Sequence, residues 1–551
     1  MKNKKIEKRL LNLAFLSFFI FILLVIRIFW IQIIKHQEYT NAAMNQRIMK
    51  VNFYPSRGLI YDKNLIPLTN FERVPTLYIF KNLATMDKKF YNYINELSGY
   101  SHKEIEEIIK SSKGIIEIPV RNNNGEVDKR PKGVFLTDKV IRYSHKNILS
   151  HVIGYIQKSN NTGKYGIEGA YDDILKIDNS KALSVTIDGS KRIIPGIGYT
   201  YAESAKKVNA NSIKLTIDYH IQKAVEDIID KENKRGAVIV ANVKNGDIVA
   251  MVSRPNMDQR NIQKYLDSNR MELYNRAIQI SYPPGSLFKI VVLLAALEND
   301  LVSMDEKFVC KGYEQLGSIK IACHSYEDGG HGELDIREAF YESCNSVFIQ
   351  LGKRVGAKKV IDMAKRLGFG NIIDIGLKEE VKGRLPKGNE MLGPAIGNIS
   401  IGQGKIEATP LQITNMMLTI ANNGIKKDLS IVEGIVTEEG HMVKRIERDN
   451  ERRVIPVLDS LIVRDFMEDV VTKGTAKNIS LEGIGGAAGK TGSAQALLNK
   501  KETIHGWFSG YFPKKNPRYV ITVFIEEGLS GGKSAAPIFE KIAREIYKLG
   551  R

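Results

Sequence analysis

Leu10 to Ile26 runs without a charge, and apolar residues continue around Arg27 to Ile34. About 20 consecutive apolar residues suffice for a helix to cross a bilayer. Residues 10–34 therefore predict a membrane anchor, with Arg27 reaching the interface along its aliphatic stem. From residue 35 to about 210 the pattern is mixed and polar, with short alternating runs such as "TLYIF" (76–80) and "LSVTIDG" (183–189) that predict strands. Beyond 211 the periodicities sharpen. "NSIKLTIDYHIQKAVEDIID" predicts a strand and then an amphipathic helix, and "GAVIVANVKNGDIVAMVS" predicts a hairpin turning at Asn245-Gly246. "GWFSGYF" and "RYVITVFIEE" flank the polar turn "PKKNP" as a second hairpin, and "APIFEKIAREIYK" predicts a closing helix. Strands at both ends of 211–551 with helices between them predict one α/β (α+β) domain whose sheet is assembled from distant segments.

One segment breaks the pattern. In "YPPGSLFKIVVLLAAL" (282–297), everything from Leu287 to Leu297 is apolar except Lys289, so the predicted helix is apolar on all sides and buried. A buried ammonium needs a lowered pKa or a nearby partner. Ser286 stands three residues earlier on the same helical face, which makes it a candidate nucleophile beside its base.

Composition narrows the surroundings. At 551 residues the chain predicts more than one domain, and 43% hydrophobic with 26% charged residues is the balance of folded protein. The net charge of +19 permits an anionic partner such as anionic lipid, wall polymer or nucleic acid. Its basic residues are scattered, without the dense Lys/Arg block or interleaved aromatics of a dedicated nucleic-acid surface, so no nucleic-acid partner is expected. "MKNKKIEKR" holds five basic residues and one acidic ahead of the apolar run, which predicts a cytoplasmic tail (1–9), an anchor (10–34) and the remainder outside the membrane. A cleaved signal peptide is the alternative, but "NAAM" at 41–44 is a poor cleavage site lying well past the apolar core.

Three short motifs stand in order beyond residue 211: Ser286-Leu287-Phe288-Lys289, Ser343-Cys344-Asn345 and Lys490-Thr491-Gly492-Ser493. Each has an ordinary structural explanation. Ser286 could cap a helix after Pro-Pro-Gly, and Ser343 and Asn345 could cap the segments around them. "GIGGAAGKTGS" also looks like a phosphate-binding loop, but Ile484 occupies the position where that loop needs its first glycine, and the predicted topology keeps it away from ATP.

The three motifs together resemble those of class B penicillin-binding proteins. The likeness extends along the chain. "SRGLIYDKN" (56–64) and "GIEGAYDDIL" (166–175) are similar to the family's pedestal, or dimerisation-like, domain, placed at 35–210. "NRAIQISYPPGSLFK", "IGQGKIEATPLQ" and "HGWFSGYFP" are similar to its transpeptidase domain, placed at 211–551. The resemblance implies an elongated, mostly β pedestal and a penicillin-binding domain with a central antiparallel sheet flanked by helices. It implies a serine-type D-Ala-D-Ala transpeptidase that crosslinks peptidoglycan stem peptides and is acylated by β-lactams. Ser286 would attack the carbonyl, neutral Lys289 would take its proton, Ser343 would relay it to the departing D-alanine, and Asn345 would hold Lys289 and the peptide amide. A charged Lys490, with Thr491, Gly492 and Ser493, would hold the substrate's terminal carboxylate. The backbone N–H groups of Ser286 and Ser493 would form the oxyanion hole. Serine at 493 departs from the threonine more usual in the family, which keeps the hydroxyl and loses a methyl. No cofactor is needed for this chemistry. No motif for the glycosyltransferase of class A relatives appears between 35 and 210, so the resemblance implies a separate membrane glycosyltransferase as partner and a lipid-linked polymer as substrate. A hydrolase (carboxypeptidase or β-lactamase) and a β-lactam sensor use the same motifs. The long pedestal argues against the first and the nine-residue tail against the second.

All three cysteines, Cys310, Cys323 and Cys344, fall within one short window. Outside the membrane a Cys310–Cys323 disulfide is one reading. The other is a closed structural zinc site made of Cys310, Cys323, His331 and Cys344, with His331 favoured over His324, the ligands converging from separate loops. Some class B relatives are similar in carrying metal beside this motif.

Overall fold

The structure is a computed structural model that describes residues 2–40, 48–52, 57–70, 72–81, 84–112, 115–121, 130–157, 161–176, 182–186, 199–202, 211–448, 451–498 and 501–550. The chain divides into two compact units. One comprises residues 1–56, 72–141 and 178–208, the other residues 57–71, 142–177 and 209–551.

The first unit begins with a helix, Lys2–Phe29, continued by a wider turn at Trp30–Ile34. Leu10–Ile34 has the length and hydropathy to cross a membrane. Arg27 and Lys35 bracket the Trp30 ring at 4.9 and 5.7 Å, an arrangement suited to a membrane interface. Glu72–Ile79 pairs antiparallel with both Ile116–Pro119 and Val134–Ile141. Helices Lys88–Ser98 and His102–Ser111 complete a small core of Leu77, Ile79, Phe90, Ile94, Leu97 and Ile105. Their boundaries are written locally: Asp87 accepts from the Phe90 N–H, Gly99 adopts φ +74° at the first helix's end, and Ser101 with Glu104 forms a capping box. Ile48–Asn52, Ala182–Thr186 and Tyr199–Ala202 form a second three-stranded sheet. The final residues of "LSVTIDG", 187–189, lie outside the described residues.

The second unit takes in more sequence than 211–551. Residues 57–71 and 142–177 belong to it because Arg57 and Arg142, both buried, converge on the buried carboxylate of Glu168. Arg57 also reaches Asp172 at 2.5 Å. A domain boundary drawn near 210 does not follow this division, since charges far apart in sequence pair only after the chain returns.

The unit's main sheet is antiparallel. Helix α1 (Tyr219–Glu232) precedes strands β1 (Gly236–Asn242) and β2 (Ile248–Arg254). Then come helices α2 (Lys289–Leu297), α3 (Asn345–Val355), α4 (Pro410–Ala421) and α5 (Val457–Thr472), followed by strands β3 (Ala488–Leu498), β4 (Lys501–Phe512) and β5 (Tyr519–Ile525) and helix α6 (Ala536–Lys548). The order across the sheet is β2-β1-β5-β4-β3. Strands β2 and β5 are buried along their whole length, so the sheet is covered on both faces. On one face Phe539 of α6 meets Phe508 of β4, with ring centroids 4.7 Å apart. On the other, Thr414 of α4 donates to Thr522 of β5 at 2.8 Å, and Ser509 lies at 2.8 Å from the same hydroxyl. Thr409 and Gln412 form a capping box with Pro410 at the first turn, starting α4 sharply; every residue of α4 and α2 is buried.

Candidate active site

Ser286 lies on a 3₁₀ turn, Gly285–Phe288, that leads directly into α2. The turn is held from three sides. Trp507 Nε1 of β4 donates to the Pro283 carbonyl at 3.1 Å, Gly285 N–H to the Gly402 carbonyl at 2.9 Å, and Tyr282 N–H to the Ala408 carbonyl at 2.9 Å. Tyr282 hydroxyl donates to Glu526, which is also paired with Arg276 at 2.8 Å. Gly285 is required where it stands: its φ is +55°, and a Cβ there would come 2.6 Å from the Ser493 carbonyl. The serine turn is thus pressed against strand β3, which carries the third motif.

Lys289 is fully buried. Its Nζ donates to the Ser343 carbonyl, to Asn345 Oδ1 at 2.8 Å and to Ser343 Oγ at 3.3 Å. Ser343 adopts φ +61°, a conformation that costs a non-glycine residue about 1 kcal/mol or more. That conformation lets one residue present both its carbonyl and its hydroxyl to the lysine. Lys490, also fully buried, donates to the same Ser343 Oγ at 3.0 Å and to the Thr491 carbonyl at 3.3 Å. One hydroxyl therefore sits between two lysine amines. No side-chain hydrogen bond joins Ser286 to Lys289 among the described residues; the Lys289 N–H donates to the Ser286 carbonyl within the turn, and the amine is turned toward the second motif.

Burial acts on both lysines, the Lys289 expected to be neutral and the Lys490 expected to be charged. Burial pushes Lys289 down to about 8, while nearby Cys344 and Cys323 act to raise it. Burial and then the neighbouring Lys289 push Lys490 well below its ordinary value. Two buried ammonium groups on one hydroxyl cannot both stay charged. Lys289 has three oxygen contacts and Lys490 two.

The motifs open onto a cleft of about 1240 Å³ lined by Ser286, Ser343, Asn345, Thr491 and Ser493 together with the hairpin strand Ile319–Ala322 and residues 473–475, 477 and 478. Thr491 Oγ1 lies 2.6 Å from Thr475 Oγ1, and Ser493 Oγ accepts from the Gly531 N–H at 3.3 Å. Gly492 lies within the motif's strand, where a Cβ would meet the Pro284 carbonyl at 2.9 Å. Because 488–498 is a strand, the phosphate-loop reading of "GIGGAAGKTGS" falls. Thr475 and Glu342, both lining the cleft, carried no signal in the sequence.

Beside the second motif the three cysteines are buried and free, and the ligand atoms of Cys310, Cys323, His331 and Cys344 all lie within 4.8 Å of one another. His331 Nδ1 is 3.5 Å from Cys310 Sγ and 3.7 Å from Cys323 Sγ, and Cys323 Sγ is 3.9 Å from Cys344 Sγ. Backbone N–H groups of Gly312 and Asn345 donate to Cys310 and Cys323 sulfurs at 3.4 and 3.3 Å.

A family model described as the penicillin binding protein transpeptidase domain matches residues 236–544. The chain belongs to that family. A second model, the penicillin-binding protein dimerisation domain, matches residues 52–198. Stage V sporulation protein D of Bacillus subtilis is 29% identical over 99% of this chain and 86% of its own length. Peptidoglycan D,D-transpeptidase MrdA of Acinetobacter baumannii is 26% identical over 94% of this chain and 85% of its own. The fold is shared with a penicillin-binding protein from Helicobacter pylori, solved in complex with MreC, at a TM-score of 0.66 and 22% identity over 91% of this chain and 99% of that one. This penicillin-binding protein is a serine-type D-Ala-D-Ala transpeptidase of peptidoglycan that binds β-lactams and is anchored at the membrane. Nothing in these likenesses favours the hydrolase or the sensor.

Proposed function

We propose that Ser286 is the acylated nucleophile, with Lys289, Ser343 and Lys490 as one proton relay and Thr491 and Ser493 as hydroxyl donors to the terminal carboxylate of a stem peptide. The observation that carries this is the Ser343 hydroxyl placed between Lys289 and Lys490 at 3.3 and 3.0 Å. An arriving substrate carboxylate beside Lys490 draws the shared proton toward that lysine. Lys289 is then freed to accept the Ser286 proton as the ester forms, and Ser343 hands a proton to the departing D-alanine. Asn345, fixed by its contacts with Lys289 and the Ala322 carbonyl at 3.2 Å, keeps the base in place and offers an amide to the peptide. Backbone N–H groups of Ser286 and Ser493 meet the developing oxyanion, each such donor contributing about 3–4 kcal/mol to the transition state.

The reaction runs outside the membrane, with the N-terminus cytoplasmic, on the basic residues that precede the apolar helix. The glycan strands come from a separate membrane glycosyltransferase, a reading supported by the match of residues 52–198 to a dimerisation domain. Incubating the full-length protein in lipid vesicles with lipid-linked glycan polymer, then digesting the glycan, should release crosslinked dimeric stem peptides. Trimmed monomers alone would overturn the reading in favour of a carboxypeptidase.

Free-enzyme acylation needs the neutral Lys289. With its pKa near 8, the second-order rate of penicillin acylation should rise with pH through about 8 and fall about tenfold per unit below about 7. A rate flat from pH 6 to 9 would remove Lys289 as the titrating base.

The Cys310, Cys323, His331 and Cys344 set suits a structural zinc. Zn–S and Zn–N bonds of about 2.3 and 2.0 Å in a tetrahedron set ligand atoms about 3.5–3.8 Å apart, close to the spacings here. The N–H donors on two of the sulfurs are the outer contacts such a site uses. Bound metal would supply folding free energy and no chemistry. It would fix Cys323, and through the Asn345 N–H bond, the start of α3 in the second motif. Elemental analysis of protein purified without chelator should find about one zinc per chain. Less than half an equivalent together with a Cys310–Cys323 disulfide would overturn it.

A further inference from the structure

Basic residues that are scattered in the sequence gather at one end of the main sheet. The β1–β2 and β4–β5 turns are neighbours there, since Asn242 pairs with Tyr519 and the Val243 N–H donates to the Arg518 carbonyl at 2.9 Å. Arg464 of α5 donates to the Lys514 and Lys515 carbonyls, each at 3.2 Å, and to Asn423 Oδ1, with its guanidinium 5.6 Å from the centre of the Tyr511 ring. Arg453 donates to the Asn423 carbonyl at 2.6 Å, and Lys427 Nζ to the Lys244 carbonyl at 2.6 Å. These bonds draw Lys244, Arg452, Arg453, Arg464, Lys515 and Arg518 into one belt. None of the six has a carboxylate partner among the described residues. Arg453 and Arg464 spend their donors on neutral oxygens, which fix each guanidinium and leave its charge uncompensated. Acids on the same segments are already engaged: Asp247 by Arg448, Asp465 by Arg337, Glu451 by Lys427 at 2.7 Å and Glu468 by Lys514 at 2.9 Å. Burial and then Arg452 push Lys426 below its ordinary value, against the pull of Asp428, in keeping with a local surplus of positive charge. No belt residue lines the cleft; Arg464 and the cleft-lining Lys473 lie about 13 Å apart along the α5 axis.

Fixed guanidinium groups with unspent charge recognise carboxylates and phosphates. The reaction already brings a polymer of that kind to the protein: each unreacted stem peptide ends in a carboxylate, and one glycan strand carries many stems. We infer that the belt is a second binding place for the polymer itself, holding the terminal carboxylates of stems not engaged in the cleft while another stem of the same strand reacts at Ser286. Holding one strand at two places raises the local concentration of stems at the cleft. The belt thus lowers the KM for polymer and leaves kcat alone. A single short peptide cannot reach both places, so its reaction is indifferent to the belt.

This inference rests on the transpeptidase reading, so binding is measured apart from catalysis. Full-length protein in vesicles of zwitterionic lipid is acylated with penicillin to close the cleft. It is then titrated with a fluorescent glycan strand carrying tripeptide stems, with the same strand after amidation of its carboxylates, and with poly(glycerol phosphate). The acylated native protein should bind the carboxylate strand about tenfold more tightly than the amidated one, with affinity falling as salt rises from about 0.05 to about 0.3 M. The quadruple variant Lys244→Gln/Arg452→Gln/Lys515→Gln/Arg518→Gln removes side chains that make no hydrogen bond among the described residues, so the fold is kept. It should lose about tenfold in strand affinity and gain a similar factor in the KM for polymer, with kcat and penicillin acylation unchanged. Arg452→Lys/Arg518→Lys, which keeps the charge, should stay within about threefold of the native affinity. Equal binding of the carboxylate and amidated strands, or native affinity in the folded quadruple variant, overturns the inference. Tighter binding of poly(glycerol phosphate) than of the glycan strand overturns the stem peptide as the ligand. Failure of penicillin to label the native protein sinks the transpeptidase reading itself and this inference with it.

Discussion

Ser286→Ala abolishes covalent labelling by fluorescent penicillin and leaves the fold unchanged. The hydroxyl is the only atom removed, and it has no hydrogen-bond partner among the described residues. Its half-buried position at the cleft floor means that no packed volume is lost. A substitution of that kind moves stability by less than about 0.5 kcal/mol. What disappears is the single oxygen that can form the ester. Ser343 and Ser493 cannot replace it: Ser343 Oγ already accepts from two lysines, and Ser493 Oγ accepts from the Gly531 N–H. The check is gel fluorescence with mass mapping of the labelled peptide, alongside a melting curve. A persistent label, or a label mapped to Ser343 or Ser493 in the native protein, would overturn the assignment of the nucleophile.

The nucleophile and its lysine were legible because burial makes a charge conspicuous: a single lysine in an unbroken apolar run demands a partner, and all nine residues of that helix are buried. The hairpin β1–β2 announced itself at Asn245-Gly246 for a similar local reason. Strand β3 did not. Its run of Gly489, Gly492 and alanines has Thr491 as its one β-branched residue, too few for a strand to be read, and its packing explains why small residues are needed. The serine turn presses on its one side, so a Cβ at Gly492 would meet the Pro284 carbonyl, and a Cβ at Gly489 would meet the Phe508 ring at 2.6 Å. Unit boundaries were hidden for another reason. Arg57, Arg142 and Glu168 form one buried cluster from three segments, and no periodicity records which distant charges will pair. The charge states of Lys289 and Lys490 belong to the same class, since the burial of Lys490 depends on Phe340, 5.6 Å from its Nζ and on a different segment.

Lys289→Arg should slow penicillin acylation by about a thousandfold, within the range that loss of a general base commonly costs. Arginine retains the positive charge and hydrogen-bond donors that Ser343 and Asn345 receive, so a purely structural lysine would tolerate it in part. It does not deprotonate in proteins, and a proton acceptor is what the mechanism needs. The remaining activity should lose its rise with pH through about 8, because the group that titrates there is gone. The larger guanidinium must fit a site with no exposed surface, so Lys289→Met serves as a second variant that nearly conserves volume and removes the charge. Burial, the larger cause, still holds Lys490 down, while removal of Lys289 lifts the second cause and makes its ammonium easier to keep. Lys289→Met should stay folded and still fail to acylate. Stopped-flow acylation of both variants between pH 6 and 9 decides it: either one reacting within tenfold of the native rate would show that the proton of Ser286 leaves by another route.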